Sequence, residues 1–163
     1  MIYNYNLLGK YKEDVLSQLL NNENINNLLL DGEANQDLMY NQVFPCFCNP
    51  DLTNESKTFL MVDGFIREET NTVQKMVIDI KYFTNYAKIQ YSLDGFYGTR
   101  LDILTTLIDG VMTQPNLFGI GRFNSGDRQI IYPTDDGKWL GYVLQYTVPD
   151  FNKNVQEFSH LYR

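Results

Sequence analysis

The chain has 163 residues, 44% of them hydrophobic and 20% charged, with a formal net charge of −7; that is one ordinary domain with enough apolar content for a core. The acidic balance argues against a protein that grips nucleic acid, since that affinity is built from Lys and Arg contacts to phosphate, but not against one that DNA slides past. Two cysteines and a single His are too few soft ligands for a metal site, so no metal and no cofactor is expected.

Residues 1–9 read as extended or loop, with Tyr3 and Tyr5 alternating with asparagines. A first helix is predicted from about Lys10 to Leu20, because Val15, Leu16, Leu19 and Leu20 recur on one side at helical spacing. A second, short helix is predicted over residues 23–30, with Ile25, Leu28 and Leu29 on one face and Asp31-Gly32 as its stop. Residues 33–57 are irregular. Pro45 keeps NQVFPCFC from reading as a central strand, and NPDLTNES is turn chemistry throughout. Cys46 and Cys48 stand at i and i+2, a spacing that strains a mutual disulfide on a strand, so two buried thiols in a reducing compartment are expected. Long connections of this kind are often functional or partly mobile.

Strands are predicted over residues 58–66 and 73–83, joined as a hairpin. In the second, Met76, Ile78, Ile80 and Tyr82 share one face, while Val77, Asp79, Lys81 and Phe83 share the other. That division suits a sheet covered on one side. Thr99 with Asp102 forms an acidic variant of a capping box for a central helix, TRLDILTTLIDGVM. Its stripe is Leu101, Leu104, Ile108 and Val111, with Arg100, Asp102, Thr105, Thr106 and Asp109 on the opposite side. The stretch from Val73 to Met112 thus supplies a strand and the helix that covers it, and the remaining elements read as neighbours to that pair. Residues 128–132 form a short strand, Asp136-Gly137 suits a tight hairpin, and a long strand at 138–148 ends at Pro149-Asp150. The expected fold is α+β: a mostly antiparallel four-stranded sheet packed by an N-terminal helical pair and one central amphipathic helix.

No residue set carries catalytic chemistry. FGIGRFNSG lacks the Lys-Ser/Thr of a phosphate loop. Asp135 and Asp136 read as turn formers, Asp79 beside Lys81 as a solvated sheet face, and Ser125 sits outside any nucleophile elbow. His160 has only Glu157 near it in sequence. The expectation is a non-enzyme. The residues suited to interaction cluster instead in four places: Tyr3 and Tyr5 at the start, Phe44 and Phe47 in the 41–56 loop, Phe118, Arg122 and Phe123 in the 115–127 loop, and Phe151, Phe158, Leu161 and Tyr162 in the tail. The twelve Tyr and ten Phe serve either such surfaces or the edge of a β-rich core. The N-terminus has no basic start followed by an apolar core, and no apolar run approaches a membrane span, so synthesis in a cytosol and no membrane contact are expected.

In order and spacing, EDVLSQLLNNENINNLLL, the strand MVIDIKYFTN leading to RLDILTTLIDGVM, the short RQIIYP and the late strand GYVLQYTVPDFN resemble the small neck proteins of tailed bacteriophages, the tail terminator or tail completion family. The resemblance implies a ring, a hexamer, at the head–tail junction of the virion, assembled in the host cytoplasm. Such a ring caps the finished tail tube, docks on neck and tail-tube proteins, and lets genomic DNA pass without specific binding. The resemblance spans most of residues 10–152, and residues 1–152 would be the ring-forming domain; the tail 153–163 lies outside it and is read from its own widely spaced apolar residues as a C-terminal interaction tail that lies on a neighbour or folds back. A head-completion or stopper protein one ring nearer the portal, and a non-viral cytosolic interaction domain, are the other readings.

Overall fold

The computed structural model describes residues 5–32, 37–69, 73–115 and 122–151. Helix α1 spans Tyr5–Leu20 and α2 spans Glu23–Leu30. The first starts earlier than the predicted Lys10. Leu8 and Tyr11 are buried and continue the stripe of Val15 and Leu19, so packing of an amphipathic face draws the polar start into the helix. Asn22 caps α2 by accepting from the Ile25 N–H at 3.1 Å, and Asp31 closes it in the left-handed conformation, φ 50°.

Helix α3 spans Arg100–Met112 and begins with the expected capping box. The Asp102 N–H donates to the Thr99 hydroxyl at 3.3 Å and the Thr99 N–H donates to the Asp102 carboxylate at 2.9 Å. Arg100, expected on the solvated side, is only 3% exposed. Its guanidinium donates to the carbonyls of Lys88 (2.7 Å) and Leu28 (3.1 Å) and to the Asp31 carboxylate (3.0 Å), and it lies 4.6 Å over the Tyr91 ring. Each of its three nitrogens thus has an acceptor, and Asp31 balances the charge, which is what permits it to be buried.

The sheet has five strands: β1 (Val43–Phe44), β2 (Thr58–Glu69), β3 (Val73–Asn85), β4 (Asn124–Ile131) and β5 (Trp139–Phe151), in the spatial order β1-β2-β3-β5-β4. It is mixed rather than four-stranded and antiparallel, because β1 pairs parallel with β2 through Val43 and Phe44 while every other pair is antiparallel. Two residues leave no periodicity to read. What places them is tertiary: the buried Gln42 side-chain amide donates to the carbonyls of Leu29 (2.7 Å) and Thr58 (2.9 Å), and the Gln42 backbone carbonyl accepts from the Leu60 N–H.

Both later strands are longer than predicted. β4 begins at Asn124 and crosses a register shift between Ser125 and Arg128, a bulge that hides alternation. β5 continues through Pro149 to Phe151, paired with Val73–Lys75. β4 ends its pairing at Thr147, so Pro149 lies on an edge where its missing N–H removes no ladder bond on that side.

All three helices pack on one face of the sheet, against Leu60, Val62, Ile78, Ile80, Tyr82 and Tyr146. The other face carries a smaller cluster of Phe59, Met61, Phe83 and Trp139, roofed by Phe44 of β1 and by Cys48 and Leu52 of the 45–57 connection. Phe59 stacks on Phe83 at 5.2 Å and both meet Trp139, at 5.7 and 5.9 Å. Gly141 makes that packing possible. A Cβ there would lie 2.2 Å from the Tyr82 carbonyl oxygen and 2.4 Å from the Phe83 Cβ.

Candidate interaction surfaces

Between α3 and the β4 side of the sheet lies a cleft of about 340 Å³. Its walls follow from two periodicities. Thr105 and Asp109, one helical turn apart, point to the sheet, and Tyr82 and Tyr146 point back from β3 and β5. The Tyr82 hydroxyl bonds to Thr105 Oγ1, which donates to the Leu101 carbonyl at 2.7 Å, and the Tyr146 hydroxyl donates to Asp109 at 3.0 Å. Burial raises the Tyr82 phenol above its ordinary value; burial and then the Asp109 carboxylate do the same for Tyr146. Both phenols therefore stay protonated and are suited to holding α3 on the sheet rather than to abstracting protons. At the mouth, the Arg128 guanidinium lies 4.3 Å over the Tyr142 ring and 3.6 Å from Asp102. The Thr99 N–H and then its hydroxyl hold the Asp102 carboxyl below the usual range, against a smaller opposing effect of burial. This assembly offers hydrogen-bond acceptors, one guanidinium and aromatic walls. Among the described residues it contains no nucleophile paired with a base, and no three His, Cys, Asp or Glu side chains are placed to hold a metal ion.

Beside the cleft runs β4, whose outer edge pairs with no described strand. Asn124 through Ile130 are all exposed, with Ile130 at 57% and Tyr132, just beyond, at 69%. The opposite edge differs. β1 covers β2 only at Leu60 and Met61, and beyond it Asp63 accepts from Lys12 Nζ at 2.9 Å and from the Phe47 N–H at 3.3 Å. Burial alone would raise the Asp63 carboxyl, but hydrogen bonds from Lys12, Gly64 and Phe47 together hold it below its ordinary value. Further along this edge Phe65 is partly exposed beneath Arg67.

The predicted contact residues are distributed unevenly over these surfaces. Phe47 is 40% exposed, with Lys81 Nζ 5.7 Å over its ring, whereas Phe44 is half-buried against the second cluster. Arg122 is exposed at the approach to β4. Phe123 is a correction: at 1% exposure it belongs to the main core and not to a loop surface. Cys46 is a second correction, exposed rather than buried, while Cys48 is half-buried and both are free thiols. The roof needs Phe44 and Leu52, and the intervening turn leaves Cys46 outside. Tyr5 opens α1 and Phe151 ends β5; Tyr3, Phe118, Phe158, Leu161, Tyr162 and His160 lie outside the described residues. Asp136 is a turn former, accepting from Thr134 at 2.6 Å and from the Lys138 N–H at 3.0 Å.

Ile130, Tyr132 and Arg128 went unrecognised as surface residues. The signal was present in RQIIYP: adjacent isoleucines on one strand must face opposite ways, and only Ile131 has a described cluster to join. No curated protein matches the chain significantly. Residues 13–148 match the family model YomW; the matched span runs from within α1 almost to the end of β5, and the chain belongs to the YomW family, a phage-derived protein family.

Proposed function

We propose that this chain is a structural virion protein that forms a ring at the head–tail junction of a tailed phage. In this reading the ring caps the tail tube, joins it to the neck, and lets DNA through a lumen to which DNA does not adhere. The observation that carries it is a phage-derived chain whose sheet presents two unlike, incompletely paired edges. A ring requires two different patches on each copy, each meeting the other on its neighbour; β4 exposes Ile130 with Tyr132 just beyond it, whereas β2 exposes Phe65 beneath Arg67 and is partly covered by β1. The net charge of −7 fits a channel that repels phosphate. The protein acts by assembly and not by catalysis, which accords with phenols held protonated and carboxylates committed to caps and turns.

The reading is tested by location. Purified particles carrying an epitope on this chain should bind gold-labelled antibody at the head–tail junction, in a few copies per particle. Label over the capsid shell or at the distal tail tip, or particles that lack the chain altogether, would refute it.

A further inference from the structure

We propose that the outer edge of β4, unpaired among the described residues, receives residues 152–163 of a neighbouring copy as an added strand. This deepens the ring reading and rests on it only in requiring that copies of the chain assemble.

An open strand edge is a template for another chain, and folded proteins normally blunt it with lysine, proline or a bulge. β4 contains neither Lys nor Pro. Its bulge lies between Ser125 and Arg128 and leaves the stretch from Arg128 to Ile131 regular. The one basic side chain there, Arg128, is folded back over Tyr142 instead of guarding the edge. Ile130 stands exposed opposite Tyr142, and Tyr132, just past the end of the strand, is exposed as well. An added strand would satisfy the free backbone groups and cover both side chains, the two gains of strand addition.

The occupant follows from where the chain goes. β5 ends at Phe151 and residues 152–163 follow it. Extended, that segment reaches roughly 40 Å, against roughly 17 Å for the five residues from Arg128 to Tyr132. In an extended conformation Phe158, His160 and Tyr162 share one side, a set suited to cross-strand packing on Ile130 and Tyr132. Its basic residues, Lys153 and Arg163, outnumber its one acid, Glu157, on a chain that is otherwise strongly acidic.

A neighbour's edge suits it better than its own. Asn124 stands opposite Thr147, so β5 leaves the sheet at the end where β4 enters. To reach its own β4 edge, the segment would have to cross the chain entering that strand, a crossing that protein connections avoid. The neighbour's β4 requires no crossing and gives a head-to-tail contact of the kind that closes rings.

Full-length chains with Cys46→Ser and Cys48→Ser provide the test. One carries Gln129→Cys on β4 and the other Ser159→Cys in the tail, and the mixture is treated with a bifunctional maleimide. A covalent link between the two chains is expected, together with no internal link when both cysteines are placed on one chain and diluted. Adding Ile130→Lys to the Gln129→Cys chain should lower the cross-chain yield about tenfold, since a hot contact of this size is worth at least that factor. An internal link at high dilution, no link in either arrangement, or a yield indifferent to Ile130→Lys would each overturn the proposal. Because the readout uses purified chain alone, it can fail while the antibody still labels the junction, and it can succeed when the label lies elsewhere.

Discussion

Removing the Arg100 guanidinium would strand the carbonyls of Leu28 and Lys88 and leave the Asp31 carboxylate with Lys88 Nζ alone, 3.7 Å away. Buried acceptors left unpaired cost about 1–3 kcal/mol each, with partial relaxation, so Arg100→Met should destabilise the fold by about 3 kcal/mol in urea titration. An effect below the error of that titration would show that the clamp is dispensable. Asp102 gives a pH signature. Hydrogen bonds from Thr99 hold its carboxyl below the ordinary 3.8, so it favours the folded state above that value and loses this contribution as pH falls through its lower folded-state value. Asp102→Asn should therefore flatten the decline of the urea midpoint below pH 4; an identical acid limb would contradict the assignment. Tyr82 and Tyr146 act at the other end. Their folded phenols ionise above the ordinary 10.0, so the stability they protect is present below that value and declines as pH rises past it, where the unfolded chain ionises first. At this scale legibility tracked distance along the chain. The Thr99–Asp102 box was readable because its members are three residues apart and bond each other. Arg100, one position away, looked like an ordinary solvated charge because its partners come from α2 and from the turn after β3.

Helix α3 and strands β2, β3 and β5 were legible because each is long enough for its period to show, although the strands bury residues on both faces, Phe59, Met61, Phe83 and Trp139 lying opposite the helices. Leu104 and Ile108 are fully buried on α3, so Leu104→Asp or Ile108→Asp places an unpaired carboxylate in the core and should abolish the folded circular dichroism spectrum. A well-folded variant at either site would mean that α3 does not cover the sheet. Gly141 is the corresponding test on the opposite face. With a Cβ 2.2 Å from a backbone oxygen, Gly141→Ala should cost about 3 kcal/mol as the β3–β5 ladder moves apart; thermal melting checks it, and an unshifted melt would place that ladder elsewhere. β1 was not legible, being two residues positioned by the Gln42 amide, and the start of β4 was masked by its bulge. The candidate surface was missed for the same reason: an edge strand exposed along its length has no burial rhythm, so Ile130 and Tyr132 gain meaning only once β4 is known to be last in the sheet.

At the scale of the whole molecule, one face of the sheet is covered by three helices and part of the other, around Phe59, Met61, Phe83 and Trp139, by Phe44 and the connection that follows it. Two unlike edges and an acidic surface suit a ring around DNA, and the phage-derived family supplies the setting. The proposed ring would end the growth of the tail tube. The most direct measurement is negative-stain electron microscopy of particles assembled in cells lacking this chain. Tails that are overlong and unattached to capsids are the expected result. Tails of normal length beside capsids that have leaked their DNA would contradict it and assign the chain to a stopper ring nearer the portal.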